Sequence, residues 1–243
     1  MKSNSISERD DSELEALLAG LASPAKAVAR RSAEVLAARA VDDPQIGFIL
    51  RGRLLHGDPR VRWAAAYTLG MIDGALGVDV IPALIEAIGN RDGDIRWAAA
   101  ELIIRVGGEQ PAPMRDALVA IRDDAGIDAR KMALYCLRDL GASGPEVMAR
   151  ATQAARASHP ALRLAALAIL SRCVGANASV ATEITLEMLE SDPDAGVRRG
   201  AAIALGRIGK KSARVAAALR RAAKSDDASL ARAAERSLAL LGE

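Results

Sequence analysis

Aromatic residues are almost absent from this chain: one Phe, two Tyr and two Trp in 243 residues. A sheet-built core draws on aromatic and β-branched side chains, so their scarcity argues against a β fold and for helices packed closely through small residues. Cysteine is scarce too. Cys136 and Cys173 stand without a second Cys or His at ligand spacing, which excludes a disulfide framework and a zinc site and leaves two reduced, buried thiols. A one-signed charge is also missing, since 33 basic and 31 acidic residues leave a net charge of +2. A general field that gathers nucleic acid is therefore not expected. No apolar run approaches the roughly 20 residues of a membrane span, and the polar start MKSNSISERDD has no apolar leader region. A soluble cytoplasmic protein without a membrane partner is the expectation.

What the chain has in quantity is Ala, Leu, Val and Ile, set in a period. An arginine follows an aliphatic or small residue at Arg62, Arg96, Arg130, Arg163 and Arg198, with gaps of 34, 34, 33 and 35 residues. A fixed period of this size marks a linear array whose repeats bury their apolar faces against one another. Taking the residue before each arginine as position zero gives anchors at Val28, Val61, Ile95, Ala129, Leu162, Val197 and Leu230. Positions +4, +7, +8 and +11 then form one small or apolar stripe at helical period, as in Ala99, Leu102, Ile103 and Val106. Glycine follows at or just past +12 (Gly107, Gly141, Gly175, Gly209, Gly242), where a left-handed residue would end the helix.

Ahead of each anchor lies a turn rich in Asp and Pro, including Asp58-Pro59, Asp92-Gly93, His159-Pro160 and Asp227, suited to capping a helix N-terminus. A second amphipathic segment precedes the turn, such as Val80 to Ile88. Each repeat is thus two antiparallel helices, A then B. The predicted architecture is an all-α solenoid, a right-handed superhelix of about seven helix pairs. A flexible segment 1–11 precedes one domain at 12–243, with repeats near 12–41, 42–75, 76–109, 110–143, 144–177, 178–210 and 211–243.

The run from Asp58 to Gly70, Asp-Pro-x-Val-Arg-Trp-Ala-Ala-Ala-Tyr-Thr-Leu-Gly, and the segment Val80 to Ile88 resemble HEAT repeats. They are particularly similar to the short bacterial type shared with phycobilisome lyase subunits. The fourth repeat departs from the pattern, with Gly126-Ile127-Asp128-Ala129 where Asp-Pro-x-Val is expected, and the first and last repeats carry Ala29 and Ala231 in place of the arginine.

An arginine in the first helical turn opposes the helix dipole, so its recurrence needs another interaction. Pairing with a turn aspartate of an adjacent repeat, Asp58 with Arg96 or Asp94 with Arg130, would supply it. The resemblance implies the same Asp–Arg ladder. The other reading is a row of cations offered to an acidic ligand.

The +2, +6 and +9 columns face away from the core stripe, on B helices that line the concave side of solenoids of this kind. They hold Trp63, Tyr67, Trp97, Glu101, Lys131 and Tyr135 in three consecutive repeats. These six are the candidate partner-binding patch, since aromatics beside charges are what peptide and protein hot spots use. Against this stands simple packing, with each Trp ring laid over a ladder arginine. Arg105, Arg138, Arg172 and Arg207, near B-helix ends, read as complements to the negative helix terminus, or else as a cationic rim for phosphate.

Catalysis has little to build on. His56 and His159 lie three repeats apart, His159 in a capping position. Gly209-Lys210-Lys211-Ser212 lacks the earlier glycine of a phosphate loop and follows a helix. No catalytic residue, metal ligand or cofactor is assigned. The expected function is a non-catalytic scaffold or adaptor that binds a protein or peptide. The alternatives are an accessory subunit of a lyase or cofactor-attachment system, which the resemblance allows, and a HEAT-like nucleic-acid-binding protein.

Overall fold

The computed structural model describes residues 2–243, with side chains from residue 10 onward. Among the described residues there are fourteen α-helices and no strand. In chain order they are α1 (Lys2–Gly20), α2 (Lys26–Arg39), α3 (Gln45–Arg53), α4 (Pro59–Leu69), α5 (Ile81–Ala87), α6 (Gly93–Glu109) and α7 (Pro111–Val119). There follow α8 (Ile127–Asp139), α9 (Pro145–Ala155), α10 (Pro160–Leu170), α11 (Ala176–Ser191), α12 (Ala195–Ile208), α13 (Ala213–Ala222) and α14 (Ala228–Leu241). Odd helices are A and even helices are B, which makes seven pairs and an all-α solenoid. Within the segment 1–11, α1 begins at Lys2. No Pro or Gly occurs before Gly20, so nothing there interrupts backbone hydrogen bonding; Met1 lies outside the described residues. No helix among the described residues is long and apolar enough to cross a membrane.

The chain forms two compact units, Met1–Ala117 and Leu118–Glu243. In the first, α4 packs against α3, α5 and α6, and α2 packs against α1 and α4. In the second, α10 packs against α8, α9 and α12, while α12 packs against α11 and α14. Within each unit, α4, α10 and α12 thus meet both their own A helices and the next B helix. The repeat register explains how. Position +4 (Ala65, Ala99, Ala133, Ala166, Ala201, Ala234) is at most 3% exposed, with Ser32 at 6% in the first repeat, and position +8 (Leu36, Leu69, Ile103, Leu137, Leu170, Leu205) at most 1%, with Leu238 half-buried in the last. The small +4 residue lets the neighbour approach while the +8 side chain fills the gap. Position +11 is less uniform: Val106 and Leu241 are buried, whereas Ile72, Leu140, Cys173 and Ile208 are half-buried.

Two glycines at +9 mark close helix approaches. A Cβ on Gly206 of α12 would stand 2.7 to 3.0 Å from the Oγ, Cβ and Cα of Ser237 on α14, and one on Gly70 of α4 would meet Leu102 Cδ2 at 2.5 Å. Helix ends follow the expected chemistry at Gly141, Gly209 and Gly242, all with φ between +63° and +71°. Gly175 stands instead at the start of α11 (φ 59°, ψ −135°), and Gly107 is a further exception. It is buried inside α6, which runs on to Glu109 and stops where Gln110, ahead of Pro111, leaves the helical region (φ −126°, ψ 63°).

The N-caps are as anticipated. Asp58, Asp92, Asp194 and Asp227 each accept a backbone N–H in the first turn of the following helix, and His159 Nδ1 accepts from Ala161 N–H at 3.2 Å. Backbone donation by Leu230 and Ser229 holds the Asp227 carboxyl below the usual carboxylate range. The residue two before the cap adds a second bond that recurs along the chain. Ser23, His56, Asn90, Asp192 and Ser225 each accept an N–H from the residue two positions on. The α8 start, with Gly126, has no side-chain cap.

Candidate partner-binding site

Arg62, Arg96, Arg163 and Arg198 leave their B helices in the first turn and reach back over the A-to-B turn. Nη1 of Arg62 donates to the carbonyls of His56 and Gly57, and Nη1 of Arg96 to those of Asn90 and Arg91. Nη1 of Arg163 donates to Ala157 and Ser158, and that of Arg198 to Asp192 and Pro193. The acceptors are always the residues six and five earlier, the carbonyls freed where the A helix ends. This is what offsets the unfavourable place of an arginine near a helix N-terminus.

The carboxylate side of the ladder meets the expectation of a turn aspartate from an adjacent repeat at Arg163 and Asp192, and departs from it at the named candidates Asp58 and Asp94. Asp58 accepts from the backbone and the side chain of Arg60, 2.8 Å at the closest guanidinium contact, so it is not the partner of Arg96. The Arg60 side chain, ahead of the backbone bond, holds the Asp58 carboxyl below its ordinary range. Asp94 and the cap Asp92 are both taken by Lys26 of α2, at 2.9 and 2.7 Å. Asp58, Asp92 and Asp94 are thus occupied by capping bonds or by Arg60 and Lys26. Arg62 instead meets Glu86 of α5 through Nε and Nη2, at 2.9 and 2.6 Å. Arg163 meets Asp192 through the same two nitrogens, both at 2.7 Å. Arg130 makes no side-chain hydrogen bond or ion pair among the described residues. It lines a cleft with Gln153, whose amide, like Arg150, is bonded to Asp123. The missing rung falls in the fourth repeat, whose turn departs from the pattern.

The candidate patch divides between the units. In the N-terminal unit Trp63 is half-buried and its ring centroid lies 5.5 Å from that of Tyr67, one turn on along α4. On the adjacent α6, Trp97 is 66% exposed and Glu101 is exposed one turn further. Neither tryptophan ring stacks on a guanidinium among the described residues; the one such contact is Arg138 over Tyr135, 5.0 Å from its centroid. In the C-terminal unit Lys131 Nζ donates to Asp128 at 2.7 Å, and Tyr135 lies beneath Arg138, itself paired with Asp139. Of the helix-end arginines, Arg105 donates to the Gly70 carbonyl at the end of α4, at 2.7 Å.

Burial pushes the Cys136 thiol up to about 12, and desolvation also raises Cys173. Ser212 caps α13 and Lys210 bonds Ser179, so the Gly209–Ser212 run joins two helices. No group of three or more His, Cys, Asp or Glu suited to a metal ion occurs among the described residues.

The recurrent acceptor two residues before each cap was not anticipated. Its signal lay in the sequence, as the series Ser23, His56, Asn90, Asp192 and Ser225 at one register position.

No curated protein matches the chain by sequence. Among solved structures, importin beta superposes with a TM-score of 0.61 at 16% identity, over 93% of this chain and 35% of its own. The karyopherin Kap121p, bound to the extreme C-terminus of the protein phosphatase Cdc14p, gives 0.60 at 17% identity, over 95% of this chain and 29% of its own. A computationally designed armadillo repeat protein for modular peptide recognition gives 0.52 at 14% identity, over 79% of this chain and 98% of its own. The chain thus spans about a third of importin beta and less than that of Kap121p, and at these identities the likeness is one of fold. The family model for HEAT repeats matches residues 14–104 and 150–239. Together with the helix pairs, the capped turns and the braced arginines, that match over most of the length means that the chain belongs to the HEAT-repeat family.

Proposed function

We propose that the protein is a non-catalytic scaffold that holds a protein or peptide on its B-helix surface, anchored in the N-terminal unit by Trp63, Tyr67, Trp97 and Glu101. The observation that carries this reading is Trp97, 66% exposed in a chain with only two tryptophans. An indole left in water costs hydration free energy that folding does not recover, and a partner that covers it gains on the order of 150–250 Å² of contact. Lys131 and Tyr135 hold the equivalent register, yet both already have partners on α8, so anchoring is assigned to the four N-terminal residues. Arg62, Arg96, Arg163 and Arg198 act as braces, since their donors are taken up by turn carbonyls and, at Arg62 and Arg163, by carboxylates. Support from the relatives is of the same kind: the karyopherin was captured with a protein C-terminus, and the designed armadillo protein was made to recognise peptides.

Peptides selected from a displayed random library against the purified protein provide the test. They should bind the Trp63→Ala/Trp97→Ala double variant roughly tenfold or more weakly, with the circular dichroism and melting curve of the variant unchanged. Selected peptides that bind the folded double variant as well as the parent would remove the aromatic anchor.

A further inference from the structure

The last two B helices of the C-terminal unit carry a surface of a different character. On α12, Arg199, Ile203 and Arg207 follow at four-residue spacing, and on α14 Arg232, Arg236 and Leu240 do the same. Each triplet is therefore one stripe along its helix. The two helices pack directly on each other, brought close by Gly206 against Ser237. All six side chains line one cleft of about 460 Å³, whose lining includes the hydroxyl groups of Ser229 and Ser237 and no Asp or Glu. Ile203 is 39% and Leu240 70% exposed.

Arginines on α13, the A helix between them in sequence, are neutralised: Arg214 by Glu183, Arg221 by Glu190 and Arg220 by Glu243. Those in the cleft are not. Arg232 donates to Ser229 Oγ at 3.3 Å, and Arg199, Arg207 and Arg236 make no side-chain hydrogen bond or ion pair among the described residues. The Asp227 carboxylate, which feels the Arg199 charge, is occupied by the backbone N–H groups of Ser229 and Leu230. Four like charges gathered around two uncovered aliphatic side chains oppose folding, so the fold itself gives no reason for the arrangement.

We propose that this cleft binds an acidic peptide segment in which two carboxylates flank an aliphatic side chain. The dimensions agree. Arg199 and Arg207 are two helical turns apart, about 12 Å, and an extended peptide places residues i and i+4 about 13 Å apart with i+2 on the same face. An acidic–x–aliphatic–x–acidic run would thus set its carboxylates on Arg199 and Arg207, where each guanidinium fork donates to them in bidentate fashion, and its central side chain on Ile203. The α14 stripe offers two further guanidiniums and Leu240 to a flanking acidic residue and a second aliphatic one. A single-stranded nucleic acid would also meet the charge, but such sites stack bases on aromatic rings, and this cleft has none.

The test uses the full chain and a fluorescein-labelled peptide of about twelve residues built on Glu-Ser-Leu-Ser-Glu, read by fluorescence anisotropy at moderate salt. Saturable binding is expected. Arg199→Gln with Arg236→Gln should weaken it by roughly tenfold or more, and Ile203→Ser with Leu240→Ser by roughly fivefold. All four positions are exposed, and unchanged melting curves establish that the variants fold. Trp63→Ala/Trp97→Ala should leave this binding intact, which separates the outcome from that of the aromatic anchor. Absence of saturable binding overturns the proposal. So does equal affinity for a peptide with Ser in place of Leu, or binding of an oligothymidylate at least as tight as that of the peptide and insensitive to loss of Ile203 and Leu240. Either of these results would mark a general anion surface.

Discussion

Arg62 in the N-terminal unit and Arg163 in the C-terminal unit occupy the same place in their repeats, and both lay Nη1 on the carbonyls six and five residues upstream. They part at the carboxylate. Glu86, the partner of Arg62, is 44% exposed and comes from the body of an A helix. Asp192, the partner of Arg163, sits in the turn beyond the A helix, and that pair is only 10% and 5% exposed. In the repeat of Glu86 the position equivalent to Asp192 is Asn90, a neutral residue, and the charge has moved back by one helical turn. Asp192 also accepts the N–H of Asp194 and offers its own carbonyl to Arg198, so one residue joins two successive rungs. The repeat therefore prescribes the arginine and its backbone acceptors, while the counter-charge is drawn from whichever nearby position holds an acid. Exposure then decides how much each rung contributes. Pairs open to water stabilise weakly, whereas removing one side of a buried pair leaves an unmatched charge.

The largest effect that tests this contrast is at Arg163. Arg163→Ala leaves Asp192 buried without its counter-ion and frees the carbonyls of Ala157 and Ser158, and it should cost about 3 kcal/mol. Calorimetry should show a fall in Tm of several degrees, confined to the transition that includes the C-terminal unit if the two units melt separately. Arg163→Ala combined with Asp192→Ala should be less damaging than the sum of the single changes, because the orphaned carboxylate is gone. A single variant that melts within a degree of the parent would remove the distinction between the rungs.

How much of this was legible in the sequence depends on how local each feature is. The caps at Asp58, Asp92, His159, Asp194 and Asp227 need only their own turn, and the buried columns at +4 and +8 need only a neighbour like themselves, so periodicity alone exposes them. The partner of a ladder arginine depends on how one helix pair is rotated against the next, and sequence offset does not carry that angle. Asp58 stood at a recurrent turn position and invited pairing with Arg96, but its oxygens are occupied by Arg60. The arginine cleft was hidden for a related reason. Arg207 reads as an ordinary complement to a helix C-terminus, and only the packing of α12 on α14 sets it beside Arg232 and Arg236.

An intermediate effect comes from the two close approaches, which also differ between the units. Gly206→Ala would push a methyl group to within 3.0 Å of the Ser237 Cα, where only backbone movement gives relief, and should cost about 1–3 kcal/mol. Gly70→Ala meets chiefly the Cδ atoms of Leu102, the end of a side chain that can turn away, although the Tyr67 carbonyl lies 3.1 Å off. It should cost about half as much. Thermal melts of the two variants side by side check the order, and an equal or reversed ranking would mean that α12 and α14 can separate as readily as α4 and α6.

The smallest effect belongs to the exposed rung. Glu86→Gln keeps the shape of the side chain and one acceptor for Arg62, and removes only the charge. The Arg62 guanidinium retains the carbonyls of His56 and Gly57, and water reaches the carboxylate side, so the loss should be about 0.5 kcal/mol at low salt. Near 1 M salt the Debye length shrinks to about 3 Å and most of that difference should vanish. Asp192→Asn measured in the same salt series should keep most of its penalty, because ions do not reach a pair with its carboxylate side chain 5% exposed. Parallel salt slopes for the two variants would show that the Arg163 rung is as open to solvent as the Arg62 rung, and that burial is not what separates them.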